Sequence, residues 1–279
     1  MTLRKHPAIA LIAITALLLT SAGYQENHLA KIGSTLEEAS DKLPVRNNYA
    51  FRPGEKLTYR LHYGIINAGE AVLEVKPDVL TINGRQIYHI VGTGYTTGST
   101  DWFFKVRDRY ETYLDKDALL PWYFVRRVEE GGFKFSQDYS FNHFTKKVDI
   151  GNNQKYDIPG DVQDMVSAFY TARNMDLSRA KTGDVMSMIC FMDKELWPMK
   201  IKLIGRETID TDLGEIRCLK FRPIVQRGRV FKQEEDMTVW ISDDANHLPV
   251  RAQADILVGS IKMDLTAVMN LANPLARAN

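Results

Sequence analysis

The chain has 279 residues, 25% of them charged, and its 36 basic and 35 acidic side chains almost cancel. A nucleic-acid partner normally requires a clustered positive field, so this balance argues against one. The length suits one large all-β domain or two small ones.

Residues 1–22 have the pattern of a secretory signal peptide, in which Arg4 and Lys5 precede an apolar run and a small-residue exit. The apolar run is shorter than the ~20 residues that span a bilayer, which disfavours a membrane anchor. No later run is long enough for a membrane helix, so we expect an exported protein, periplasmic or extracellular, that does not span the membrane once processed. Residues 23–50 are polar, lack a sustained period and are expected to form a leader.

Apolar and polar residues alternate from Phe51 almost to the C terminus, which is typical of half-buried β-strands. In LTYRLHY, which begins at Leu57, the apolar and aromatic residues share one face of such a strand. Asn83-Gly84 and Gly131-Gly132 separate these runs with the residue types of two-residue hairpin turns. We predict one mainly β domain over residues 51–279, built as a large antiparallel meander of roughly a dozen strands.

One segment departs from the alternation and predicts a single amphipathic helix packed on the sheet. Its apolar residues recur at helical spacing from Val162 to Tyr170, and Asp161 follows Pro159-Gly160 in the position of an N-cap. Four residues recur every three positions and form a slanting strip beside the apolar stripe: Asp164, Ser167, Tyr170 and Arg173. We predict that this strip docks the helix on the sheet, with an active-site role as the alternative.

The two cysteines, Cys190 and Cys218, both lie in strand-like runs. In an oxidising compartment they could form a disulfide, whereas two buried free thiols are the alternative. Both states stay open, because the distance between the two thiols in space does not follow from the sequence.

The stretch VWISDDANHLPV places two carboxylates, Asp243 and Asp244, close to His247, which raises the question of a catalytic or metal site. Alternation resumes on both sides of these residues, so we predict that they form the connection between two strands. The chain has no metal-ligand spacing, nucleophile motif or Gly-rich phosphate loop. We therefore predict no catalytic residue, no metal and no cofactor.

Two aromatic clusters, DWFF and PWYF, are denser than a sheet core requires. Curled or barrel-like sheets often enclose an apolar ligand cavity. This gives five candidate ligand-binding residues: Trp102, Phe103, Phe104, Trp122 and Phe124. Core packing with capping of a sheet edge is the alternative interpretation of both clusters.

Three stretches carry a family resemblance: FRPGEKLTYRLHYGIINAGEAVLEV from Phe51, the strip from Asp164 to Arg173, and VWISDDANHLPVRAQADILVGSIKMDL from Val239. Together they resemble the bacterial exported proteins grouped as domain of unknown function 3108. The resemblance covers Phe51 to about Leu271. It implies a long antiparallel meander curled toward an open barrel, located in the cell envelope. It implies no activity, catalytic residue or cofactor.

These observations favour a non-catalytic binding or accessory protein whose concave sheet face and aromatic clusters hold a lipid-like or other envelope ligand. A hydrolase acting on envelope glycans or lipids is the first alternative. A structural partner in an envelope assembly is the second, in which a strand edge or the leader pairs with another chain. The oligomeric state stays open.

Overall fold

The computed structural model describes residues 42–82, 84–224, 237–255 and 259–278, so the predicted signal peptide and most of the predicted leader lie outside the described residues. Two helices occur in these ranges, α1 (Gly98–Phe103) and α2 (Met165–Ala172), and neither is long and apolar enough to cross a membrane. The strands of the same ranges are Lys56–Tyr63 (β1), Ile66–Val75 (β2), Leu80–Ile82 (β3), Arg85–Thr96 (β4), Arg107–Asp115 (β5), Pro121–Glu130 (β6), Phe133–Asn142 (β7), Lys147–Asp149 (β8), Lys155–Asp157 (β9), Val162–Gln163 (β10), Val185–Met192 (β11), Glu195–Ile209 (β12), Ile216–Pro223 (β13), Met237–Ser242 (β14), Pro249–Asp255 (β15) and Ser260–Met269 (β16).

All of these strands belong to one sheet that curls toward an open barrel. From one edge the order is β10 to β16, then β1, β2 and β4 to β9, with β3 paired to β4. The pairing of β16 with β1 joins the two halves of the chain, while β9 and β10 remain as the sheet edges. The pairs are antiparallel except β10 with β11. The predicted mainly β meander, curled toward an open barrel with a helix on it, is therefore confirmed.

Short turns explain why strands that follow each other in the chain are neighbours in the sheet. Glu130 pairs with Phe133 across the predicted glycine turn, whose two residues have φ values of 54° and 89°. The predicted turn at Gly131-Gly132 is therefore confirmed. Its physical reason is that glycine reaches positive φ without a steric penalty. At the other predicted turn, Ile82 pairs with Arg85, while Asn83 lies outside the described residues.

The alternation along each strand decides which side chains fill the interior. In β1, Leu57, Tyr59 and Leu61 are buried, while the residues between them are partly exposed. The largest fully buried side chains are all aromatic: Trp122, Tyr59, Tyr110, Tyr113, Tyr123, Tyr139, Tyr170, Phe124, Phe141, Phe191 and Phe221. Burying one large apolar side chain contributes roughly 1.5–3 kcal/mol, so these rings are a major source of stability.

Helix α2 begins later than predicted, and its N-cap is Asp164 rather than Asp161. The Asp164 carboxylate accepts the N–H groups of Val166 and Ser167, both at 2.7 Å, and Ser167 Oγ accepts the Asp164 N–H at 2.8 Å. The prediction of Asp161 was wrong because β10 lies between the two residues, is extended and pairs with β11. Helix α1 was not predicted, since six residues are too few to show a helical period.

The hairpin of β11 and β12 crosses the open side of the barrel. The ring of Phe191 packs 5.1 Å from that of Tyr139 in β7 and 5.6 Å from that of Tyr156 in β9. Beyond it, Arg126 Nη1 donates to Asp193 Oδ1 at 3.0 Å. The open side is thus covered by side-chain contacts.

Both cysteines are buried free thiols, so the structure shows the unpaired alternative.

Candidate functional site

A cleft of about 850 Å³ opens beside the connection between β9 and β10. Five parts of the chain surround it: residues 46–49, the connection between β5 and β6, residues 159–163, the end of α2, and the hairpin of β11 and β12. Its apolar lining includes Tyr49, Leu119, Met175, Met188, Ile189 and Pro198. A concave, mostly apolar site with a few polar groups is the usual form of a small-molecule site.

One wall of the cleft belongs to the end of the predicted leader, which lies against the sheet. Arg46 donates its backbone N–H to the carbonyl oxygen of Asp117 at 2.7 Å, and its Nη2 lies 2.8 Å from Asp161 Oδ1. Tyr49 donates its backbone N–H to Asn174 Oδ1 at 2.8 Å, just beyond α2. These bonds hold the segment in place, so the wall is a fixed part of the described structure.

The hairpin of β11 and β12 forms the opposite wall. Among the described residues, strand β12 pairs with β13 from Ile201 onward, and its preceding part pairs with β11. Apolar residues are exposed along the hairpin, among them Ile189, Leu196 and Met199. Methionine is frequent here, and its flexible, polarisable thioether adapts to ligands of different shape.

The polar groups of the cleft suit binding better than acid–base chemistry. Inside, Gln163 Nε2 donates to a backbone carbonyl at 3.1 Å, and Thr171 Oγ1 donates to Gln163 Oε1 at 3.3 Å. At the rim, Arg46 is paired with Asp161, whereas Lys200 is exposed and forms no ion pair with a described residue. Among the described residues, the lining therefore offers the cation of Lys200 beside an apolar surface, and its other charged groups, Arg46 and Asp161, are paired with each other at the rim.

The predicted docking strip lies elsewhere, buried inside the barrel. Its members, Asp164, Ser167, Tyr170 and Arg173, are at most 2% exposed. Arg173 donates from Nη1 and Nη2 to the two carboxylate oxygens of Glu55, at 2.6 and 2.8 Å. Burial raises the pKa of Asp164 to about 6, and Thr112 Oγ1 donates to its carboxylate at 2.6 Å. None of the four lines the cleft.

The five predicted ligand-binding residues lie in three different places. Trp102 and Phe103 are largely exposed on α1, and Phe104, which follows them, is half-buried. Trp122 and Phe124 are buried in two separate core clusters. None of the five borders the cleft, so ligand binding by them stays a prediction. The cleft residues come from distant parts of the chain, so the sequence does not show that they form one site. Their methionine content is the one signal of the cleft in the sequence.

The predicted connection between β14 and β15 is confirmed for Asp243, Asp244 and His247. The Asp244 carboxylate accepts two backbone N–H groups, at 2.8 and 2.7 Å. His247 Nδ1 lies 2.7 Å from the carbonyl oxygen of Arg173. Asp243 Oδ2 lies 3.6 Å from Arg206 Nε. Each side chain therefore has its own structural partner.

A buried carboxyl pair was missed in the sequence. Asp108 in β5 and Glu130 at the end of β6 are almost completely buried, and their carboxyl groups are within hydrogen-bonding reach. Burial raises the pKa of both groups. The pair therefore holds a proton at pH values at which exposed carboxyl groups are ionised. The alternation in RDRYETYLD already places Asp108 on the face of Tyr110. Only the strand register brings Glu130 next to it.

The fold is similar to that of one bacterial protein of solved structure, and two further structures give weaker matches. It superimposes on a β-barrel-like protein of domain of unknown function 1849 from Brucella abortus with a TM-score of 0.54 and 13% identity, covering 79% of this chain and 99% of that chain. A candidate lipoprotein from Parabacteroides distasonis has a TM-score of 0.35 and 11% identity, covering 82% and 100% of the two chains. A candidate exported protein with a YmcC-like fold from Bacteroides fragilis has a TM-score of 0.31 and 10% identity, with the same coverage.

The similarity to the Brucella abortus protein concerns the fold alone, and no curated protein matches the sequence. The family model described as protein of unknown function DUF3108 matches residues 58–266. This match runs from β1 to β16 and thus includes both strands that join the two halves of the sheet. The chain therefore belongs to the DUF3108 family.

Proposed function

We propose that this chain is an exported, non-catalytic binding or accessory protein of the cell envelope, whose cleft holds a lipid-like or other envelope ligand. The observation that carries the proposal is the cleft itself, about 850 Å³ in volume and lined with apolar side chains. Pockets of this size hold small-molecule ligands. The signal-peptide pattern of residues 1–22 supports export.

The two walls suggest how such a ligand is oriented. Met188 and Ile189 contact its apolar part, and Lys200 at the rim attracts an anionic end. Apolar burial contributes about 25 cal/mol per Å², whereas an exposed ion pair contributes at most about 1 kcal/mol. The apolar part therefore supplies most of the affinity, and the charge selects the orientation.

The first test is the native mass of the mature chain before and after organic extraction. We expect bound mass that extraction removes and that fragments as lipid. A protein that carries no extra mass in either state and binds no added lipid would contradict the proposal.

A matched pair of variants tests the position of the site. We expect Ile189→Asp to weaken binding of the fluorescent fatty acid 11-(dansylamino)undecanoic acid by about tenfold or more, because it places a carboxylate on the apolar wall. Leu196→Asp is the control, since Leu196 is similarly exposed on the same hairpin, 44% against 38%, but does not line the cleft. Equal losses in both variants would place the binding outside the cleft.

A further inference from the structure

We propose that one end of the barrel inserts into the surface of a lipid bilayer. Three connections between strands expose large apolar side chains there: Ile65 (101% exposed), Ile66 (53%), Trp102 (81%), Phe103 (77%) and Phe133 (62%). We call these five residues the apolar tip. Large apolar side chains that are exposed together indicate a surface covered by a partner.

The strand register places the whole tip at one end of the sheet. Tyr63 pairs with Ile66 across the β1–β2 turn, and Glu130 pairs with Phe133 across the β6–β7 turn. Helix α1 connects β4 to β5, which lie between β2 and β6 in the sheet. Leu119, which lines the cleft, belongs to the connection at the opposite ends of β5 and β6. The tip and the cleft are therefore separate surfaces.

Each of the three connections has a backbone N–H group that is hydrogen-bonded within the protein. The N–H groups of Gly64, Thr97 and Gly131 each donate to a backbone carbonyl, at 2.9, 3.2 and 2.8 Å. An unsatisfied backbone group is costly in a bilayer, because no water is present to bond it. These internal bonds reduce that penalty at all three connections.

The shape and charge of the tip favour a bilayer over a protein partner. Its side chains protrude from separate connections, and the pocket beside them, next to Gly69 and Thr96, holds only about 20 Å³. A protein interface relies on pockets that receive anchoring side chains, whereas a bilayer needs none. Trp and Phe prefer the membrane interface. Lys105 is exposed next to the tip and forms no ion pair with a described residue, so it suits an anionic headgroup.

The test is flotation of the full mature chain with vesicles of phosphatidylcholine that contain a minority of phosphatidylglycerol. We expect the protein to float with the vesicles, and the double variant Trp102→Asp/Phe103→Asp to reduce partitioning by about tenfold or more. The control Val185→Asp/Met199→Asp changes two residues that are 51% and 48% exposed on the hairpin, away from the tip, and should float like the unchanged chain.

Several results would overturn the proposal. A folded wild-type chain that stays with the soluble fraction would do so, as would equal losses in the tip and control variants. A dimer that the tip variant dissociates, without vesicle binding, would assign the tip to a protein interface instead.

Ile65→Asp, on a different connection, replaces the double variant if circular dichroism shows that the double variant is unfolded. Ile189→Asp should still float, so failure of the cleft and failure of the tip are distinguishable.

Discussion

The carboxyl group of Asp108 makes the stability of the protein depend on pH. Burial raises its pKa to about 8, and the neighbouring Glu130 adds to the rise, whereas an aspartate in an unfolded chain titrates near pH 4. Between these values the folded state holds a proton that the unfolded state has lost. The free energy of unfolding therefore falls as the pH rises through this range.

We expect urea denaturation to show this fall from about pH 5 to about pH 8, with a contribution from Asp108 of at most about 1.4 kcal/mol per pH unit. Asp108→Asn should flatten the dependence. The amide keeps the oxygen that accepts the Glu129 N–H, bonded at 2.9 Å, and adds a donor toward Glu130. An unchanged slope in this variant would mean that another group dominates the titration.

At the scale of the elements, α2 is attached to the barrel through its buried last turn. Arg173 bonds Glu55 with two nitrogens and also donates from Nε to the carbonyl oxygen of Asn246 at 2.9 Å. These bonds connect α2 with the chain before β1 and with the β14–β15 connection. The helix thus joins segments that are far apart in the sequence.

We expect Arg173→Met to lower the free energy of unfolding by about 3–5 kcal/mol, because Glu55 stays buried without a partner. The double variant Arg173→Met/Glu55→Gln should recover part of the loss, since no buried charge remains. Arg46→Met is the control: Arg46 is partly buried but its partner Asp161 is largely in solvent, so we expect a loss of about 1 kcal/mol or less. Denaturation curves giving equal losses for Arg46→Met and Arg173→Met would contradict this role of burial.

At the scale of the whole molecule, the open side of the barrel depends on Phe191. Its ring packs against residues of β7 and β9, which β11 does not meet through backbone pairing. We expect Phe191→Ala to cost about 3–5 kcal/mol and to speed amide hydrogen exchange in β7 to β9. Leu196→Ala on the same hairpin is the control and should change neither. Uniformly faster exchange over the whole sheet would show that Phe191 has no special role at the open side.

An element could be predicted well when the residues that form it contact close neighbours in the sequence, and poorly when they contact residues far along the chain. Alternation and turn residues identified the strands, because both act between close neighbours in the chain. The four shortest strands, β3, β8, β9 and β10, have only two or three residues and show no period. The N-cap was misplaced because β10 is held extended by residues 189 and 190, far along the chain.

Local chemistry was thus enough to derive the mainly β class, the hairpin turns, the presence of one amphipathic helix and the role of Asp243 to Leu248 as a connection. Long-range strand register decided the rest. It placed Asp108 beside Glu130. Contacts between distant loops and strands brought Tyr49, Leu119 and Ile189 together at the cleft, and left Trp102 and Phe103 exposed while Trp122 and Phe124 are buried. The physical reason is that a strand's own pattern selects its buried face, whereas which buried faces meet depends on how the whole sheet curls and closes.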